Sequence, residues 1–332
     1  MKLALIGSYG HVNMVLDSIT SRPDVELVAA SRWGPGDPLP YVGAHGSASD
    51  SMHVYGDYRK MLAEEEELDI VGVFMPLYRN AEASLAAVSR GCHVISEKPL
   101  ATNMGDLTAL RDAIKQAGVH VAGLFSARGE GPFIAVRNAV LSGRIGTPVL
   151  VSAQKSYPFS RRDDFYKQRE TYGGSIPWQA IHAIDFIRYT TGKDYARITA
   201  MQSNAAHPAY PGMEDNGAVL AELVGGGHAT ITFDYLRPWR GDSTRNWGDD
   251  RLRIAGTEGI VEVTDEGKSA VLLTASAREQ LPIPPNRDLF CEFVDMVNGA
   301  GEGLVSTEES LRATEVALKA RDAADAGEIV RL

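Results

Sequence analysis

The sequence predicts an α/β domain over residues 1–125 followed by an α+β domain over 126–332. Up to about residue 125, short apolar runs alternate with amphipathic stretches at the rhythm of a doubly wound parallel sheet. Beyond it, apolar runs follow one another with only turns between them, as in a large, mostly antiparallel sheet. A chain of 332 residues, 44% hydrophobic and 23% charged, has the length and composition of an ordinary two-domain globular protein. Its 33 basic against 43 acidic residues give a net charge of -10, which argues against nucleic acid or an anionic membrane as partner. Met1-Lys2 runs straight into Leu3-Ala4-Leu5-Ile6-Gly7, too short for a signal or spanning segment, so a cytoplasmic chain is expected. Cys92 and Cys291, far apart and without close His or Cys neighbours, fit a reducing compartment and no metal site.

In order, Lys2 to Ile6 reads as a buried strand, Gly7-Ser8-Tyr9-Gly10-His11 as a glycine turn and Val12 to Ile19 as a helix. A strand, a tight turn and a helix N-terminus form an anion site, because free backbone N–H groups and the helix dipole point at the turn. Such a turn suits a pyrophosphate. It keeps Gly7 and Gly10 but has Tyr9 where the dinucleotide fingerprint places its second glycine. The next strand, Val25 to Ala30, ends at Ser31-Arg32, where a nucleotide-binding domain selects its ribose. Hydroxyl and guanidinium there suit a 2′-phosphate, so NADP is preferred over NAD. Trp33-Gly34-Pro35-Gly36-Asp37-Pro38 is an irregular loop.

A short helix over 57–63, an acidic run Glu64 to Glu67 read as a solvated helix end, and a strand over 68–74 lead to Met75-Pro76-Leu77. A helix over 80–90 then precedes Cys92-His93-Val94-Ile95-Ser96-Glu97-Lys98-Pro99-Leu100. This apolar run delivers Glu97 and Lys98 to the carboxyl end of a strand, and Pro99 stops the ladder. Open α/β sheets bind ligands at that edge. A lysine held there can hydrogen-bond a substrate oxygen during proton loss; the plainer reading is an ordinary surface Glu-Lys pair. Asn103 to Ala117 is amphipathic, and Val119 to Phe125 is a further strand.

In the second domain a helix over 132–141 leads through Ser142-Gly143-Arg144-Ile145-Gly146 to a strand at Val149, and strands follow over 198–203, 218–224, 228–235, 252–255 and 260–264. Helices are expected over 290–297 and 308–326. A broad sheet needs its second face covered, and a homodimer or dimer of dimers would cover it. The loop from Ser156 carries Tyr157, Phe159, Arg161, Arg162, Tyr166, Arg169 and Tyr172, a mixture of stacking faces and fixed donors. Pro177, opening the next helix, would place Trp178, His182 and Asp185 on one face. His182 is then either a general acid/base or a core histidine bonded to Asp185. Trp178 is either packing or a substrate platform.

Together these residues resemble the Gfo/Idh/MocA family of glucose-fructose oxidoreductases and inositol dehydrogenases. The resemblance covers essentially the whole chain: the glycine turn, Glu97-Lys98-Pro99-Leu100-Ala101, Ser142 to Gly146, Gly173-Gly174 with His182 and Asp185, Gly256-Thr257-Glu258-Gly259 and the closing helix. It implies that Lys98 contacts both nicotinamide and substrate, and that His182 takes part in proton transfer. It also implies an Asp four residues before the histidine, where this chain has Trp178. Met75-Pro76-Leu77 stands where the family has Thr-Pro-Asn.

The expected cofactor site is therefore Gly7, Ser8, Tyr9, Gly10, His11, Ser31, Arg32, Pro76, Glu97 and Lys98. The expected substrate site is Lys98, Tyr157, Trp178, His182 and Asp185, with Lys98 and His182 catalytic. The expected reaction moves a hydride between nicotinamide and a secondary hydroxyl or ketone of a sugar, inositol or related polyol. The alternatives are a glycoside-cleaving enzyme that oxidises its substrate transiently, and a non-catalytic NADP or sugar sensor.

Overall fold

The computed structural model describes residues 1–34, 37, 39, 52–160, 162–239 and 248–332. Pro35, Gly36 and Pro38 of the irregular loop and Arg161 of the aromatic loop lie outside the described residues. The chain divides into two compact units, Met1–Leu124 with Asp288–Thr314, and Phe125–Arg287 with Glu315–Leu332.

In the first unit, strands β1 (Lys2–Ile6), β2 (Glu26–Ser31), β3 (His53–Tyr55), β4 (Ile70–Val73), β5 (His93–Ser96) and β6 (Val121–Gly123) form a six-stranded sheet. Its order is β3-β2-β1-β4-β5-β6, and every pairing is parallel. Helices on both faces leave the central strands no polar side, which is why β4 is buried throughout. The direction of the order reverses between β1 and β4, so the loops after these strands part and open a crevice. β3 escaped the sequence reading because it has three residues, largely exposed at the sheet edge.

The sequence reading kept residues 126–332 together, whereas Asp288–Thr314 packs in the first unit. The reason is the other edge. β6 would present bare N–H groups, a template for unwanted pairing. Thr307 Oγ1 accepts from Val121 N at 2.9 Å and Ser310 Oγ from Gly123 N at 3.0 Å. Thr314 Oγ1 accepts from Leu100 N at 3.4 Å. These three side chains, spaced by three and four along the helix Thr307–Ala326, share one face and close the edge.

The second unit is built on a nine-stranded sheet of order β14-β13-β12-β11-β7-β10-β9-β8-β15. Its strands are β7 (Pro148–Pro158), β8 (Tyr195–Ser203), β9 (Asn216–Leu223), β10 (His228–Arg237), β11 (Asp249–Gly256), β12 (Gly259–Thr264), β13 (Ser269–Thr274), β14 (Arg278–Gln280) and β15 (Val330–Arg331). All pairings are antiparallel except that of β7 with β10. Period-two alternation gives the sheet two different faces. On β10, Ala229, Ile231, Phe233 and Tyr235 are buried, while His228, Thr230, Thr232 and Leu236 are exposed. The buried face packs against the helix Ile181–Thr191, which in turn meets the helix Gly131–Leu141 through Phe186 and Phe133, ring centroids 4.8 Å apart.

Candidate active site

In the first unit, β1 ends at Gly7, whose φ of +76° suits glycine and where a Cβ would lie 2.3 Å from the carbonyl oxygen of Phe74. That carbonyl accepts from Tyr9 N at 2.9 Å, so the turn is clamped against the end of β4. Gly10, with φ of +70°, lies where a Cβ would meet the carboxylate of Glu97 at 2.5 Å. Glu97 Oε2 accepts from the backbone nitrogen of His11 at 2.9 Å and lies 2.8 Å from its ring Nδ1. A carboxylate thus sits at the amino end of the helix Val12–Ile19, where the dipole favours negative charge. Burial pushes the Glu97 carboxyl up, but the His11 ring, the Lys98 ammonium and the His11 N–H outweigh it and hold it below the ordinary carboxylate range.

Lys98 follows directly, 1% exposed, with Nζ 4.0 Å from Glu97 Oε1. The surface Glu-Lys pair admitted by the sequence is therefore replaced by a buried one. Asn80, which stands near the position of the histidine that follows Thr-Pro-Asn in the family and is not among the expected site residues, positions this segment. Its side-chain NH2 donates to the carbonyls of Glu97 and Pro99 at 3.3 and 3.2 Å, and its oxygen accepts from Met75 N at 3.3 Å. One amide thereby ties the loop after β4, with the buried Pro76, to the Glu97-Lys98-Pro99 segment.

At the end of β2, Ser31 is buried and its hydroxyl donates to the carbonyl of Arg32 at 3.2 Å, while the Arg32 guanidinium donates to the carbonyl of Asp37. Asp37 was not anticipated. Its carboxylate accepts from Ser8 Oγ at 2.6 Å, Leu39 N at 3.0 Å and Trp33 N at 3.0 Å, fastening the loop after β2 to the glycine turn. The nearby acidic run is not all solvated either, because Glu65 accepts from Tyr55 Oη at 2.7 Å.

These features fit a dinucleotide. The Gly7 turn, packed on the Phe74 carbonyl, the amino end of the helix Val12–Ile19 and a loop carrying Arg32 lie at the strand ends flanking the crevice. Tyr9 changes the turn at one glycine position, and Val12, fully buried, occupies the third by spacing.

In the second unit, the sequence expects an α-helix from Pro177. The structure has a π-helical turn over Ile176–Ala180, with Ile181 N donating to the carbonyl of Ile176, before the α-helix Ile181–Thr191 begins. Pro177 lies in the first turn, where its missing N–H costs no ladder bond. His182 and Asp185 keep α-helical spacing, whereas the step from Trp178 to His182 crosses the π turn. Trp178 and His182 are buried, at 8% and 3% exposure. Asp185 is paired bidentately: its two oxygens accept from Nε and Nη2 of Arg128 at 2.8 Å each, and both residues are buried. An arginine after β6 was not singled out from the sequence, although a buried carboxylate needs such a partner.

Gln179, on the same π turn, donates to the carbonyls of Lys155 and Asp234 at 3.0 and 2.6 Å, fixing the turn to β7 and β10. Tyr157 lies near the end of β7, its ring 6.3 Å from that of Tyr235. The Arg162 guanidinium packs over the rings of Phe159, Tyr166 and Tyr235 at 5.9, 5.5 and 5.1 Å, so much of the aromatic loop forms one cluster.

A parallel sheet of this order with a glycine turn at its switch point, followed by a large sheet domain, defines the class of nicotinamide-dependent oxidoreductases with a Rossmann domain. The comparisons agree. Residues 2–124 match the oxidoreductase family with an NAD-binding Rossmann fold, and residues 133–262 match the GFO/IDH/MocA C-terminal domain. The chain belongs to the Gfo/Idh/MocA family of oxidoreductases. A presumed oxidoreductase structure from Thermotoga maritima is 33% identical, covers 100% of both chains and superposes with a TM-score of 0.93. A 1,5-anhydro-D-fructose reductase from Ensifer adhaerens is 25% identical over 82% of each chain. An inositol 2-dehydrogenase from Rhizobium meliloti is 22% identical over 87% of this chain and 83% of its own. Among the described residues no helix is long and apolar enough to cross a membrane.

Proposed function

We propose that the protein moves a hydride between nicotinamide and a secondary hydroxyl or ketone of a sugar, inositol or related polyol. The observation that carries this reading is Lys98: a buried ammonium at the carboxyl edge of the nucleotide-binding sheet, next to the carboxylate that seals the glycine turn. The names of the relatives support the substrate class. When bound, the cofactor supplies or accepts the hydride, with Gly7 to His11 at its pyrophosphate and Ser31 and Arg32 at its ribose. Lys98 polarises the substrate oxygen, and His182 takes or returns its proton. Tyr157 and Trp178 offer stacking faces to a carbon ring.

The guanidinium of Arg32 favours NADP over NAD. Screening sugars and polyols with each cofactor, at the absorbance band of reduced nicotinamide, tests both assignments. The expected result is turnover on at least one polyol, faster with NADP, and a loss of that preference in Arg32→Ala. No signal with any substrate would refute the reaction; a preference for NAD would refute the cofactor assignment alone.

The exposed face of the large sheet carries Leu150, Leu220 and Met201, the last 83% exposed, and this face is proposed to join two copies of the chain. Light scattering is expected to show a dimer or a dimer of dimers, and Leu220→Glu is expected to reduce it to smaller species.

A further inference from the structure

We propose that Tyr157 is a second proton-transfer residue of this reaction, with Lys155 placed to stabilise its phenolate; the inference rests on the oxidoreductase reading above. Lys155 and Tyr157 lie two apart on β7 and so project to the same side of the sheet. That is the inner face, where the π turn bearing Trp178 is tied to the backbone of Lys155 by Gln179. Lys155 is buried, and its Nζ lies 4.9 Å from the centroid of the Tyr157 ring, whereas Tyr157 itself is only half-buried. The hydroxyl-bearing ring can thus meet a small molecule while the cation stays behind it.

The arrangement is built rather than incidental. Asp250, directly opposite Lys155 on β11, holds Nζ at 2.5 Å through Oδ2. Gly248, two residues earlier, leaves room for the ring: a Cβ there would lie 3.2 Å from Tyr157 Cε1. Burial alone would push the Lys155 ammonium down, but Asp250, Tyr157 and Glu130 outweigh it and hold it above the ordinary lysine range. The lysine is therefore a permanent charge, not the group that exchanges protons. Glu130 is pushed up by burial and by the Asp250 charge, against the pull of Lys155 and of a hydrogen bond from Ser126. Asp250 Oδ1 is buried and has no hydrogen-bond partner among the described residues, so the carboxylate is oriented through Lys155. The ammonium favours phenolate because opposite charges in a desolvated site each stabilise the other's ionised form.

In the reductive direction reduced nicotinamide would supply the hydride to the carbonyl carbon; the carbonyl oxygen takes its one proton from His182, and the Tyr157 O–H replaces the proton on His182. The C=O π bond becomes a C–H and an O–H bond, and the Tyr157 O–H bond breaks to leave phenolate beside Lys155. Oxidation runs the same steps backwards. This gives the chain a protic group on β7, on the same face as the π turn bearing Trp178.

The test has two arms. In an alkaline titration of the full chain followed in the near-ultraviolet tyrosinate band, subtracting the Tyr157→Phe trace isolates the Tyr157 step. Lys155→Met alone would strand Asp250, so the same subtraction is made in Lys155→Met/Asp250→Asn, where both charges are gone. Against Asp250→Asn, which keeps the ammonium and loses only its counter-charge, the step in the double variant is expected to lie about one unit or more higher in pH; a step at the same pH in both overturns the pairing. With a substrate from the nicotinamide screen, Tyr157→Phe is expected to lower kcat by about a hundredfold, leave KM near its wild-type value and flatten one limb of the kcat pH profile. A raised KM with unchanged kcat would overturn the proposal and make Tyr157 a binding residue only. A wild type that turns over no polyol while the step still moves would sink the oxidoreductase reading instead.

Discussion

Glu97 Oε2 lies 2.9 Å from the backbone nitrogen of His11 and 2.8 Å from its ring nitrogen, so the residue before the candidate catalytic lysine also holds the glycine turn. The carboxyl end of β5 and the amino end of the first helix are thereby one structural unit. A change at either should be felt at both.

Glu97→Gln is expected to lower stability at neutral pH by roughly 1.5–3 kcal/mol, the range for a buried charge-assisted hydrogen bond. The sign of its pH dependence follows from the low folded-state pKa of Glu97. Its contribution is present above the unfolded-state value of about 4.3 and is lost as pH falls through the folded-state value. Urea midpoints followed from neutral to acidic pH should therefore drop more steeply for the wild type than for the variant. Parallel curves would show that the carboxylate is not ionised by its surroundings in the manner described.

Lys98→Ala and His182→Ala are each expected to reduce kcat/KM by at least about a hundredfold, the size of a lost acid–base or polarising group. Tryptophan and tyrosine circular dichroism should remain that of the wild type. Wild-type rates in either variant would remove that residue from the mechanism.

Asp185→Asn leaves the Arg128 guanidinium in a buried site without its carboxylate, and is expected to cost about 3–5 kcal/mol. The paired change Arg128→Met/Asp185→Leu removes both charges and is expected to recover much of that loss. A double variant as unstable as the single one would mean that the pair does not act as a unit.

Most of the first unit was legible because its strands are continuous apolar runs ending at glycine or proline, and its helices carry a period of 3.6. Asn103 and Asp57 even announce two helix starts by accepting from the backbone nitrogens of Asp106 and Arg59. What escaped was short or made of side-chain partnerships. β3 has too few residues to show a period. The helix Thr307–Ala326 was visible, yet nothing in its order along the chain says that Thr307, Ser310 and Thr314 face the edge strand β6 and the segment after β5.

The candidate site divides in the same way. Local sequence determined that Glu97, Lys98 and the glycine turn stand at strand ends, because a strand's direction and its terminating proline are written in consecutive residues. It also determined that His182 and Asp185 lie one turn apart. Only the tertiary structure decided that Asp185 belongs with Arg128, that Asn80 joins two loops, that Asp37 holds Ser8, and that Lys155 lies between Asp250 and Tyr157. A hydrogen bond or buried ion pair depends on which distant groups the packed core brings within about 3 Å, and neither propensity nor periodicity encodes that distance.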